Sequence, residues 1–227
     1  MGVIIGATIL TWALCFPVRH FLEKGGCWDE PNSRSSHVER TIRGGGIAPL
    51  IVIIGVIFIW VWPDNFRLAQ SWGGGLMLLS ILSLADDFKG ISIPIRLLGQ
   101  LVAGVMGVWA VSSGTWTMME MAVGVLALMS LMNFVNFMDG INGLVAGQVV
   151  LIAASVLLLG AEVSPVICIM AAVITGAALG FLPFNFPRAS MFLGDVGSVM
   201  FGYSCGILLL WAGIEMEGKG WGLIILP

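Results

Sequence analysis

Eight stretches of this chain are long, apolar and almost free of charge, and a ninth begins near its end. They cover about residues 1–17, 44–62, 68–85, 93–112, 116–138, 143–161, 163–182 and 196–214, then 220 onward. A helix needs ~20 apolar residues, in a range of ~17–25, to cross ~30 Å of hydrocarbon. Only 10% of the residues are charged and 58% are hydrophobic, whereas a soluble domain carries ~25% charged residues. No ten-residue alternating strands appear, which excludes a transmembrane barrel. The expected fold is an all-α polytopic transmembrane helical bundle with eight complete spans and the start of a ninth. Residues 1–227 are expected to form one membrane-embedded domain. The first run, "MGVIIGATILTWALCF", has no basic leader and no small-residue cleavage site, so it reads as a span rather than a signal peptide.

Alternate loops of such a chain face opposite sides. Residues 18–43, 86–92, 139–142 and 183–195 share one face. Residues 63–67, 113–115, those near 162, and 215–219 share the other. The first face, with its helix ends, holds Arg19, Lys24, Arg34, Arg40, Arg43, Lys89, Arg96 and Arg188; only Arg67 and Lys219 of the 10 basic residues fall on the second. The positive-inside rule makes the first face cytoplasmic and puts the N-terminus outside. The polar clusters "PNSRSSHVERTIRGGG", "ADDFKG", "NFVNFMDGING" and "FNFPRASMFLGDVGS" all lie on that face.

These clusters have a shared chemistry. Asp86 and Asp87 are adjacent carboxylates that repel each other unless a cation is near, although a helix-ending pair solvated among headgroups is equally ordinary. Asp139 and Asp195 are each joined to glycine, in "DGING" and "GDVGS", so backbone N–H groups and a carboxylate can converge on a ligand. Four aspartates on one face suit a hard divalent cation, Mg²⁺ or Mn²⁺, and neither histidine has zinc-type spacing. Asn133, Asn136 and Asp139 follow at intervals of three and make a slowly drifting polar stripe on a helix. The plain alternative for the stripe is interhelical amide bonding. Arg34, Arg40, Arg43, Lys89 and Arg188 either set topology alone or, with a metal, neutralise a pyrophosphate. His37 reads as a solvated loop residue. "RGGGIA" has no preceding strand and no GK[ST], so it is not a Walker loop. A net charge of −3 without a basic tract gives no sign of nucleic acid. The residues thus point to cation-dependent phosphoryl transfer at a membrane surface. An ion-coupled transporter is the rival, but carriers place ionisable groups near the bilayer midplane, and no acidic residue lies mid-span here.

The ordered set "RSSH…TIRGGG", "ADDFKG", "NFVNFMDGINGL" and "FNFPRASMFLGDVGS", over about residues 30–203, resembles the polyprenyl-phosphate N-acetylhexosamine-1-phosphate transferase family. The forms "RSSH" and "RGGG" are closer to its O-antigen-initiating branch than to the related phospho-MurNAc-pentapeptide translocase. The resemblance implies transfer of a sugar 1-phosphate from a UDP-N-acetylhexosamine to undecaprenyl phosphate, with release of UMP, at the cytoplasmic face of a bacterial inner membrane. It implies Mg²⁺ (or Mn²⁺), with Asp195 as the metal ligand. Asp86 and Asp87 would handle the lipid phosphate or act as base, in an order left open. Asn136 and Asp139 would border the diphosphate and nucleotide, so that Asp86, Asp87 and Asp139 form the catalytic set. Asn185 and Phe192 fall where the family contacts uridine, Phe192 as a stacking platform. Arg40 or Arg43 stands where a basic residue serves the donor. Which UDP-sugar is used, and whether the protein is an oligomer, stay open.

Three positions depart from the family's pattern. Ile42 replaces a common proline, and Arg188 stands where a small residue or proline is usual. The family also continues past "WGLIILP" to a cytoplasmic histidine-containing loop that neither His20 nor His37 matches, so the transferase domain is expected to be truncated at its C-terminus.

Overall fold

The structure, a computed structural model, describes residues 1–30, 40–112, 116–158 and 164–215. The "RSSH" segment with Arg34 and His37, the loop at 113–115, Lys219 and the expected ninth span all lie outside the described residues. The described chain folds as helices joined in sequence: α1 (Gly2–Lys24), α2 (Ile47–Val56) running on into a π-helical segment (Ile57–Val61), α3 (Phe66–Lys89), α4 (Ile93–Ser112), α5 (Met118–Met138), α6 (Leu144–Leu158), α7 (Pro165–Asn185) and α8 (Gly194–Glu215).

Among the described residues, six helices (α1, α3, α4, α5, α7 and α8) are long and apolar enough to cross a membrane. The protein is an all-α, multi-pass membrane protein. Within the described residues, two of the eight expected spans are shorter apolar helices: α2 with its π-helical extension, Ile47–Val61, and α6, Leu144–Leu158. At 1.5 Å per residue the 15 residues of α6 reach ~22 Å, less than the ~30 Å hydrocarbon core. The apolar runs had included residues 44–46 and 62 around the first helix and Gly143 before the second, none of them helical.

Helix ends are set by local chemistry. Thr117 caps α5 in a capping box with Glu120, Ser164 accepts from the Ile167 N–H at the start of α7, and Asn65 accepts from the Leu68 N–H at the start of α3. α8 is the most enclosed long helix and α1 the least. Large side chains such as Ile81, Val123 and Leu151 stand exposed on the outside of the bundle, which suits a solvent of lipid tails. Trp60, Trp62, Phe66 and Trp109 are exposed near the end where α3 begins and α4 finishes, the pattern of an interfacial aromatic belt.

At the opposite end lies a feature absent from the expected fold, a three-stranded sheet. β1 (Trp28–Asp29) pairs antiparallel with β2 (Thr41–Arg43), which pairs parallel with β3 (Met191–Phe192). Strands of two or three residues leave no periodic trace in a sequence. The sheet joins the segment after α1 to the segment before α8, and the ends of α3, α5 and α7 and the starts of α4 and α6 gather beside it.

Candidate active site

The polar end of the bundle is assembled by backbone before any side chain is considered. Ile42 lies opposite Met191 and Arg43 opposite Phe192. The Gly45 and Gly46 N–H groups then donate to the Phe192 and Leu193 carbonyls at 2.8 and 2.9 Å. Gly46 sits so close to α8 that a Cβ there would lie 2.1 Å from the Gly197 Cα. This strap delivers Arg43 to the N-terminus of α8, where Asp195 occupies the first turn.

Four aspartates from three helix ends meet two arginines there. An Arg43 guanidinium nitrogen donates to Asp195 Oδ1 at 2.6 Å and lies 3.3 Å from Asp87 Oδ1. Arg96, near the start of α4, donates to Asp86 Oδ2 at 2.8 Å and stands 3.9 Å from Asp195 Oδ2. Asp86 also accepts the Ile91 N–H at 2.7 Å, so it braces its own turn while Asp87 faces Arg43. Asp139, which follows α5, accepts the Gly194 N–H at 2.9 Å. Burial pushes the Asp139 carboxyl well above the usual carboxylate range, against the opposing pull of that N–H and of Arg43.

Below this cluster is a cleft of about 230 Å³ between α3, α4, α5 and α8. Its polar lining is Ser83, Asp86, Arg96, Gln100, Asn133, Asn136 and Asp195. Asn133 donates to Gln100 Oε1 at 2.6 Å and to the Met129 carbonyl at 2.8 Å. That amide is therefore an interhelical tie between α4 and α5, the plainer of the two roles open to it, while Asn136 fronts the cleft.

The expected site residues separate into groups. Asp86, Asp87, Asp195 and Arg43 converge; Asp139 joins them through Gly194, and Asn136 through the cleft. Arg40 turns elsewhere: it pairs with Glu30 at 3.1 Å and stacks over the Trp28 ring at 4.8 Å. Asn185 is 2% exposed; it accepts the Gly143 N–H at 2.7 Å and donates to the Met191 carbonyl at 3.1 Å. Phe192 is buried in β3. Neither presents an open face to a base in this conformation. Arg96 and Gln100 carry weight that the sequence did not signal; Arg96 had counted only toward topology, although its place nine residues past Asp87 put it on the same face.

No three His, Cys, Asp or Glu side chains among the described residues sit as a ready metal cage. Mg²⁺ does not require one, since it commonly binds one or two carboxylates and takes its other ligands from water and substrate phosphates. Asp87 and Asp195 fit that mode, for they are hard oxygen donors close enough to share one guanidinium cation.

Residues 69–213 match the profile of "Glycosyl transferase family 4", a stretch holding Asp86, Asp87, Arg96, Asp139 and Asp195. The chain belongs to that family. As a family 4 member it is 29% identical, over 223 residues, to a "Probable undecaprenyl-phosphate N-acetylglucosaminyl 1-phosphate transferase" of Bacillus subtilis, covering 89% of this chain and 60% of that one. It is 31% identical to the "Decaprenyl-phosphate N-acetylglucosaminephosphotransferase" of Mycobacterium tuberculosis, covering 86% and 56%. A "Phospho-N-acetylmuramoyl-pentapeptide-transferase" of Chlamydia trachomatis is 26% identical, covering 63% and 41%. The chain thus spans between about two fifths and three fifths of the length of these relatives.

Proposed function

We propose that this family 4 protein transfers an N-acetylhexosamine 1-phosphate from a UDP-sugar to undecaprenyl phosphate, releasing UMP and starting a cell-surface polysaccharide of the O-antigen type. The observation that carries this reading is the meeting of Asp86, Asp87 and Asp195 with Arg43 and Arg96 at one end of a membrane bundle. Such an end serves two substrates of opposite solubility, a lipid phosphate from the bilayer and a nucleotide sugar from water. The crowding of basic residues toward this end supports a cytoplasmic-facing site in a bacterial inner membrane, with the N-terminus and the aromatic belt on the far side.

In the reaction an oxygen of the acceptor phosphate bonds to the sugar-bearing phosphorus of the donor. The bond from that phosphorus to the bridging oxygen breaks, and its electron pair leaves with UMP. Asp87, facing Arg43 and free of the turn contacts that hold Asp86, is the group placed to orient the acceptor phosphate or take its residual proton. Arg43 and Arg96 neutralise charge on the phosphates, and Asn136 borders the diphosphate. Asp195 and Asp87 would hold Mg²⁺, which when bound would supply Lewis-acid stabilisation of the charge gathering on the phosphate of the departing UMP. The buried setting of Asn185 and Phe192 means that a uridine contact from either needs the β3 segment to open.

The test is to incubate membranes carrying the protein with undecaprenyl phosphate and labelled UDP-sugars. The expected result is an N-acetylhexosamine label made lipid-soluble, abolished by EDTA and by Asp195→Asn. Transfer that survives EDTA undiminished removes the metal role, and full turnover by Asp195→Asn removes Asp195 from the site.

A further inference from the structure

Asp139 ends α5 in a sequence that invites a catalytic role, but its carboxylate is committed to backbone. Oδ2 accepts the N–H of Gly194 at 2.9 Å. That peptide opens α8, with Gly194 at φ +69°, and its next residue is Asp195. The first N–H groups of a helix have no partner within the helix. Here one of them is capped from another element. The same turn is bound to the same segment at further points. Asn185 Oδ1 accepts from the Gly143 N–H at 2.7 Å, and Asn142 Nδ2 donates to the Pro187 carbonyl at 3.1 Å. Each of these three bonds pairs a side chain with a backbone group across the gap, so this is a brace between two loops.

We propose that Asp139 is a positioning residue: its carboxylate holds the Gly194 peptide by accepting its N–H, and so fixes where the Asp195 carboxylate stands between Arg43 and Arg96. This rests on the phosphotransferase reading for its consequence in catalysis, though not for the bond itself. The brace needs an acceptor oxygen rather than a charge, because one N–H is all that it receives from Gly194. An asparagine at 139 offers that oxygen; an alanine does not. A residue that instead ligates metal or contacts the donor needs the negative carboxylate, and asparagine fails it. The two roles therefore diverge on one conservative change.

The experiment compares Asp139→Asn, Asp139→Ala and the parent in two ways: steady-state transfer in membranes, and amide hydrogen exchange of the purified protein over residues 191–198. Asp139→Asn is expected to keep kcat within about threefold and the donor KM unchanged, and Asp139→Ala to lose about a hundredfold in kcat. Exchange at Gly194 and Asp195 should rise in the alanine variant alone. Loss of turnover or a raised donor KM in Asp139→Asn overturns the proposal, as does unchanged exchange in Asp139→Ala. If the alanine variant does not insert, the asparagine variant decides by itself. A parent without transfer activity counts against the phosphotransferase reading, and the exchange comparison then decides the placing of Gly194.

Discussion

Arg43 and Arg96 divide the aspartates between them, and their substitution should not be equivalent to that of Arg40. Arg96 bridges Asp86 and Asp195 while lining the cleft, so Arg96→Gln is expected to lower kcat by about 10²–10³, the range for removing one preorganised donor from a reacting anion. Arg40 is 56% exposed on its side chain and spends its charge on Glu30; an exposed pair is worth at most ~1 kcal/mol. Arg40→Ala should stay within about threefold of the parent, and steady-state transfer by the two variants checks both. Asp139 makes a separate prediction about pH. Its folded pKa is raised by burial, so the stability it contributes is complete below the unfolded value of ~3.9 and is lost as pH rises through the folded pKa. In metal-free buffer, Asp139→Asn should gain thermal stability relative to the parent on going from pH 5 to pH 8. A gap that narrows instead contradicts the burial of the charge.

At the scale of elements, the decisive object is the strap from Arg43 to Gly46 laid against β3 and the start of α8. Its bonds are backbone to backbone, and it depends on Gly46 having no side chain, given the 2.1 Å between a Cβ there and Gly197. Gly46→Ala must move the strap, with an expected loss of ~1–3 kcal/mol for overpacking. Because Arg43 rides on the strap, transfer should fall more than stability does; thermal unfolding and kcat measured on the same preparation separate the two. None of this was visible beforehand. "RGGG" showed glycines without saying what they approach, and the sheet is too short to give a pattern. The amide stripe was half legible: its spacing put Asn133 and Asn136 near one face, but the partner of Asn133 is Gln100, 33 residues away, and only packing brings it near.

At the scale of the molecule, the alternation of helices carries both ends of the site and its sidedness. If the aspartate end faces the cytoplasm, Glu30→Cys in a Cys27→Ala background should resist an impermeant maleimide in intact cells. Asp64→Cys, at the other end, should react. The reverse pattern would invert the topology and strand the site away from nucleotide sugars. Long apolar runs, a lopsided distribution of basic residues and four polar clusters at run ends were enough to derive a membrane bundle with its polar groups at one end, because hydrophobic length and charge are properties of the chain itself. What only the tertiary structure decided is which charges meet: Arg43 rather than Arg40, Arg96 as a partner of Asp195, Asp139 turned to a peptide instead of outward. Those choices depend on ångström-scale distances between elements far apart along the chain, and such distances are set by packing and backbone pairing, which composition and spacing do not encode.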